Sequence, residues 1–437
     1  MFHLVSLHGL RKSQMRKCLA LVLVSALYFY VSISLAADWP QWQGQARNNI
    51  STEQNLLQSW ESFKPKLLWT YRDTGAGYSG PAVVGNRAFI MGVQNGAEAM
   101  IALDIESGKQ VWAAPLGKLF GNNWGDGPRG TPTVDGGMVY GISGSGDLVC
   151  LNAANGKENW KVSLAKDLEG KVMKIWGFTE SPLIDGDKVV CSPGGPKGTL
   201  AALDKKTGKV LWRSTEITDE ASYASMVKGK IGEQEIYIQM SAAGLIGVDP
   251  ATGKKLFAEK VGVNGIAIIP TPVVSGNKVY VTSDYGTGCA LVELTSSSGR
   301  LASKVLYEKK VMQNHHGGVV LLDGMIYGCT GNSNGRAKWI CQNLETGDAV
   351  WESDNFTQSG SITFAGNRLY CYGQNDGTVT LVEPNQKAWT EKGRLTLPEM
   401  TKLPRKSGKI WTHPVVSNGK LFLRDLDLVF CFDVSAK

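Results

Sequence analysis

Hydrophobic positions in this chain fall in short alternating bursts separated by polar turns, and the bursts repeat. Residues 202–212 read Ala-Leu-Asp-Lys-Lys-Thr-Gly-Lys-Val-Leu-Trp, an apolar pair, a polar turn and an apolar return ending in an indole. Residues 102–112, 151–160, 248–257 and 343–351 keep that register: a glycine, Asp or Asn four residues before it, an aromatic four residues after. The pattern predicts a β-hairpin. The Asp or Asn bonds the backbone two residues on, and the glycine supplies the positive φ of the turn. A broad ring at one fixed place per unit predicts flat packing on a neighbouring unit, burying about 150–250 Å².

A second signature precedes these hairpins: a Pro, two apolar residues, a Gly-containing turn and a β-rich strand. Residues 131–136 (TPTVDG), 181–186 (SPLIDG), 271–276 (TPVVSG), 79–85 (SGPAVVG) and 413–416 (HPVV) carry it. Proline as the first residue of a strand removes no ladder bond. One unit therefore reads as four antiparallel strands in about 40–50 residues, the length of a propeller blade. First strands near Pro81, Pro132, Pro182, Ser225, Pro272, Val319, Ile362 and Pro414 give eight units. The last lacks an outer strand, and residues 67–71 (LLWTY) supply an unattached one. The expected fold is all-β, an eight-bladed propeller over residues 66–437, its ring closed by that N-terminal strand, which covers an open sheet edge.

Residues 1–36 read as a cleaved signal peptide: Arg11, Lys12, Arg16 and Lys17, an apolar run from Leu19 to Leu35, and small residues at Ser34 and Ala36. The rival reading is a retained anchor helix. The expected location is periplasmic or secreted, with membrane contact only through an uncleaved leader. Without those four basic residues the net charge falls from +7 to +3, and no basic cluster remains, which argues against a nucleic-acid partner. Residues 37–65, with Trp39, Trp42 and Trp60, lack both signatures and read as an arm on the ring's flank or mouth.

Of the 8 cysteines, Cys18 lies in the leader; the others sit in or beside strands, without CxxC or an adjacent pair. They read as buried thiols, with Cys329 and Cys341 the pair to expect if one disulfide exists. Glycine-rich runs at 192–195 and 331–335 join strand to strand and read as loops. Asp425 and Asp427, in a tight loop beside Arg424, read as a solvated turn and not as a carboxylate pair. The longer connectors, 117–130, 165–177 and 395–409, are where function has room to vary.

The repeated Ala-Leu-Asp-x-x-Thr-Gly-Lys-x-x-Trp unit resembles the repeat of the pyrroloquinoline-quinone (PQQ) propeller superfamily across about residues 66–437. The opening Asp38-Trp39-Pro40-Gln41-Trp42 is similar to the mature start of several exported proteins with this repeat. The resemblance implies one of two classes. Quinoprotein alcohol dehydrogenases hold PQQ and calcium in the central funnel; BamB-type propellers of the outer-membrane barrel-assembly machinery are not enzymes. The dehydrogenases carry an adjacent Cys-Cys pair against the cofactor and long insertions between blades, and this chain has neither.

Position on such a ring nominates a site. Beyond the leader the only histidines are His315, His316 and His413, all just before an innermost strand, at the funnel's rim. Glu180 and Arg129 hold comparable places, and Trp124, Asp126, Trp176, Gln313, Asn314 and Trp411 share those connectors. Because first strands converge on the axis, these residues are expected to meet around one concave site. His315, His316, His413 and Glu180 suit a borderline metal such as zinc or copper, although adjacent histidines on extended backbone diverge. A histidine also suits general-base work, and the structural alternative has the imidazoles bonding backbone carbonyls and Arg129 pairing with Asp126. The leading expectation is a binding or scaffold propeller of the cell envelope taking a protein, glycan or small molecule at the funnel; the other is a PQQ- and calcium-dependent alcohol dehydrogenase.

Overall fold

The computed structural model describes residues 37–297, 300–331, 337–353 and 358–436. The leader reading of residues 1–36 and most of the glycine-rich run 331–335 lie outside them. Among the described residues every regular element is a β-strand, and the strands form eight four-stranded antiparallel sheets and one two-stranded ribbon, Gly121–Asn122 with Gly125–Asp126. Blade 1 spans 82–118, blade 2 133–163, blade 3 183–213, blade 4 227–259, blade 5 273–309, blade 6 319–352 and blade 7 360–395. Blade 8 has three strands from 415 to 433, and Lys66–Tyr71 completes it, pairing antiparallel with Leu428–Asp433, Lys66 opposite Asp433 and Tyr71 opposite Val429. The result is an eight-bladed propeller closed by its N-terminal strand, as the repeat count predicts.

The seams between blades explain the repeat. In the turn of blade 3, Asp204 Oδ1 accepts the backbone N–H groups of Lys206 and Thr207. Gly208 follows at φ +72°, and the Trp160 indole of blade 2 lies so close that a Cβ there would stand 2.8 Å from the ring. Trp160 Nε1–H donates to the Lys205 carbonyl of that same turn at 3.0 Å. Trp69, Trp112 and Trp212 repeat the arrangement on Ile105, Ala153 and Pro250, over Gly108, Gly156 and Gly253. Tyr307 substitutes its hydroxyl, donating to Leu344 beside Gly347. Each glycine thus serves two ends: a left-handed turn, and clearance for the ring of the preceding blade.

The axis is built differently. Residues 39–51 cross the centre of the ring and touch every blade, and residues 56–60 then run outward along blades 7 and 8 to the outer strand of blade 7. Trp39 pairs with Val83 of blade 1, and the Pro40 carbonyl accepts Val134 N–H of blade 2. Arg47, 4% exposed, donates to the carbonyls of Ser181, Pro182 and Met226, at the inner strands of blades 3 and 4. Trp42 Nε1–H donates to Thr271 Oγ1 before blade 5, and Asn49 Nδ2 to the Val319 carbonyl of blade 6. Ser51 donates to Phe364 of blade 7 and Val416 of blade 8. Trp60 then lies buried against Tyr370, ring centroids 5.7 Å apart.

Two readings are corrected. Arg424 and Asp425 are not a solvated turn: both are 1% exposed. Arg424 ties blade 8 to blade 1, donating to the carbonyls of Ser79, Met91 and Gly75, while Asp425 takes Arg405 at 2.6 Å. Cys329 and Cys341 are both free and buried. They lie on paired strands but out of step, Cys329 opposite Trp339 and Cys341 opposite Tyr327, so no bridge joins them.

Candidate functional site

The connectors that precede the inner strands gather at one end of the axis around a cavity of about 130 Å³. Its wall is largely aromatic: Trp42, Tyr78, Trp124, Trp176, Tyr223, Tyr285 and Trp411, with Arg129, His315 and His316 as the charged or titratable groups. The rings form two runs. Trp124 meets Trp176 at 6.0 Å, and Trp176 meets Tyr223 edge-on at 5.6 Å. On the other side Tyr285, His315, Trp411 and Tyr78 follow one another at centroid separations of 5.4, 6.3 and 5.1 Å. Trp42 comes from the arm, whose next residues Gln43, Arg47 and Asn49 are buried among the inner strands.

Electrostatically the wall is cationic. Arg129 donates to the carbonyls of Gly127 and Gly125, and its guanidinium lies 4.9 Å from the Phe120 ring centroid and 5.6 Å from that of Tyr78. Such cation–π contacts hold a guanidinium without neutralising it. Among the described residues no carboxylate lines the cavity. Asp126, the expected partner of Arg129, instead pairs with Lys406 at 2.7 Å. Burial lowers the pKa of His315 to about 4 and that of His316 well below its usual value, so both rings are neutral at neutral pH. Contrary to the expected divergence, His315 Nδ1 and His316 Nδ1 stand 3.3 Å apart, and Tyr285 Oη is 2.9 Å from His315 Nε2. His316 Nε2 and Trp411 Nε1 are buried and have no hydrogen-bond partner among the described residues. Unmet polar atoms on an apolar wall are what a ligand's polar group satisfies.

Of the nominated residues, Trp124, Arg129, Trp176, His315, His316 and Trp411 stand on the wall. Glu180, Asn314, His413 and Asp126 do not. Glu180, 3% exposed, turns away to accept Ser192 N–H, and burial pushes its carboxyl up to about 7 despite Arg47 nearby. Asn314 Nδ2 donates to the carbonyls of Gly318 and Cys329 and its Oδ1 accepts Gly318 N–H, a loop clamp. His413 packs on Trp42 at 4.5 Å and donates Nε2–H to the His316 carbonyl. Among the described residues no group of three or more His, Cys, Asp or Glu is placed to hold a metal ion. His315, His316, His413 and Glu180 are not gathered around one point: two face the cavity and two are turned into packing. The rule that nominated the histidines also fits Tyr78, Thr179, Tyr223 and Ser225, each shortly before an inner strand; Tyr285 in a blade turn and Trp42 on the arm carry no such signal.

PQQ with calcium, which the resemblance implies for its dehydrogenase branch, meets no matching donors here. Calcium takes six to eight oxygens, many of them carboxylate, and among the described residues this wall carries hydroxyls but no carboxylate.

Comparison with known proteins follows the fold. A family model described as outer membrane protein assembly factor BamB matches residues 101–353. The BamB of Burkholderia pseudomallei is 23% identical over 231 residues, which cover 50% of this chain and 54% of that protein. The chain thus spans about half the length of that relative. BamB from Moraxella catarrhalis superposes with a TM-score of 0.59 at 17% identity, covering 84% of this chain and 99% of that one. Quinohemoprotein alcohol dehydrogenase from Comamonas testosteroni gives 0.63 at 14% identity, covering 92% and 81%. Identities this low speak for the ring alone.

Proposed function

We propose a non-catalytic binding role from the premise that this chain belongs to the outer membrane protein assembly factor BamB family of PQQ-repeat propellers. The protein is an exported scaffold of the cell envelope, and the funnel mouth receives an apolar segment of a protein partner that carries an acidic group. One observation carries the reading: an aromatic cavity that presents one guanidinium, Arg129, held by carbonyls and rings, with no ion pair to it and no carboxylate on the wall among the described residues. Exposed apolar side chains extend it outward, with Leu119, Trp124, Ile175 and Ile266 standing on three of the connectors around the mouth. A patch of that kind marks an interaction surface, and Trp and Arg are the residues that dominate binding energy at such places.

Membership of an outer-membrane assembly-factor family suggests the test. Removing the gene is expected to lower the amount of folded outer-membrane β-barrel protein, read by heat-modifiable gel mobility, and a Trp124→Ala, Arg129→Ala double variant is expected to restore it poorly. Full restoration by that variant removes the funnel from the function; no effect of the deletion removes the assembly reading and leaves a glycan or small molecule to be sought. Addition of PQQ and calcium is expected to give no dye-linked alcohol oxidation, and turnover would overturn the non-catalytic reading.

A further inference from the structure

Glu53 is a carboxylate in an unusual position. It is 8% exposed, and among the described residues no Lys or Arg pairs with it. Its Oε1 accepts the backbone N–H of Asn418 at 2.7 Å and of Ala37 at 2.8 Å, and its Oε2 accepts Gly419 N–H at 3.3 Å. The Ala37 residue is itself held in place: Ser417 Oγ–H donates to its carbonyl at 2.7 Å. The next residues bind the opposite side of the closure, Asp38 Oδ1 accepting Gly85 N–H and Trp39 pairing with Val83. Ala37 therefore sits where blade 8 meets blade 1, with a nearly buried anion pointed at its nitrogen. A carboxylate removed from water needs an opposite charge as well as hydrogen bonds, and nothing described supplies one.

We infer that the missing charge is the α-ammonium of Ala37, created by hydrolysis of the Ala36–Ala37 peptide bond, and that its docking on Glu53 fastens the arm across the closure. The bond lies after Ser34-Leu35-Ala36, the small-x-small pattern that a signal-peptidase-class enzyme accepts. In the cut, water's hydroxyl goes to the Ala36 carbonyl carbon and the C–N bond breaks. The released nitrogen takes one proton from water and one from the new carboxylic acid, leaving –COO⁻ on Ala36 and –NH₃⁺ on Ala37. The neutral amide becomes a cation at hydrogen-bond distance from Oε1, and charge-assisted bonds of this kind are about twice as strong as neutral ones. Processing is thereby coupled to stability: the Ala37–Glu53 bond takes its charge-assisted form only after the leader is gone. This inference is independent of what the funnel binds.

The experiment exports the full precursor and compares it with a precursor carrying Gly-Ser inserted between Ala36 and Ala37, each mature terminus being read by sequencing. The unaltered protein is expected to begin at Ala37 and to melt higher than the extended one by roughly 2–4 °C. Glu53→Gln should lower the melting temperature of the Ala37-starting protein more than that of the extended one. The pKa of the dimethylated α-amine, read by NMR, should lie above the ordinary ~7.7–8.0 and return to it in Glu53→Gln. Because docking raises the amine's pKa, the advantage is full below about pH 7.7 and disappears as pH rises through the docked value. A mature terminus elsewhere, equal melting of the two chains, or an ordinary amine pKa overturns the inference. The extended chain keeps Glu53 intact, so poor folding of Glu53→Gln does not blur the result.

Discussion

The seams and the axis of this ring hold the same eight blades together by opposite means. At a seam, one aromatic ring and one glycine recur at fixed spacing, as Trp160 on Gly208 and Trp212 on Gly253. At the axis nothing recurs: Arg47 binds three carbonyls, Asn49 one, and Trp42 a threonine hydroxyl. Seam contacts are redundant and mainly apolar; axial contacts are singular, polar and buried. The difference teaches where the molecule is fragile. A repeated apolar contact loses its own area when broken, whereas a lost buried donor leaves several backbone acceptors unmet.

The comparison can be broken most severely at the closure. Deleting Lys66–Tyr71 removes Trp69 and a whole ladder against Leu428–Asp433. Its effect should exceed the ~3–5 kcal/mol of a single Trp truncation, measured by denaturant unfolding; an unchanged midpoint would mean that the ring is not held shut there. Arg47→Ala comes next, at about 3–5 kcal/mol, with Arg47→Lys recovering little because a point charge cannot span three carbonyls.

A pH series distinguishes the two regions at intermediate size. Burial raises Glu180, beside Arg47, to about 7. Between its unfolded value of ~4.3 and 7, the native state keeps a proton that the unfolded chain releases, so stability falls as pH rises through that window and levels above it. The melting advantage of the wild type over Glu180→Gln should therefore shrink from pH 4.5 to 7. A pH-independent difference would show that this carboxyl is ionised throughout.

Gly208→Ala and Gly136→Ala sharpen the seam side. Both glycines have positive φ, +72° and +54°, but only Gly208 has a ring against it. Gly136→Ala should lose about 1–2 kcal/mol from backbone strain, and Gly208→Ala a further ~1–3 kcal/mol from overpacking; equal losses would deny the ring its part. Smallest is Trp124→Ala, exposed at the rim, which should change stability by less than about 0.5 kcal/mol while reducing partner binding.

This contrast also explains what could be read from the residues alone. Trp160 and Gly208 sit at a spacing that repeats, so blade number, register and closure follow from counting. Arg47 and Asn49 answer to carbonyls more than a hundred residues away, and no local pattern announces them. At the funnel the approach of each inner strand to the axis placed Trp124, Arg129, Trp176, His316 and Trp411 together. It could not say which side chains turn outward, because Glu180 and His413 are claimed by Ser192 N–H and by the Trp42 ring. Asp425 misled for the same reason: Arg405, its partner, comes from a connector with no repeat signature.

The passage of the arm through the middle has a consequence for how such a molecule can change over generations. Rings made of interchangeable units ordinarily tolerate gain or loss of one by duplication or deletion. Here every unit is met by a particular residue of one strip of chain, Arg47 and Ser51 each spanning two, so a seventh-and-a-half or ninth wedge would find no socket at the hub. The tally is locked from within, and variation is channelled to the loops at the open end.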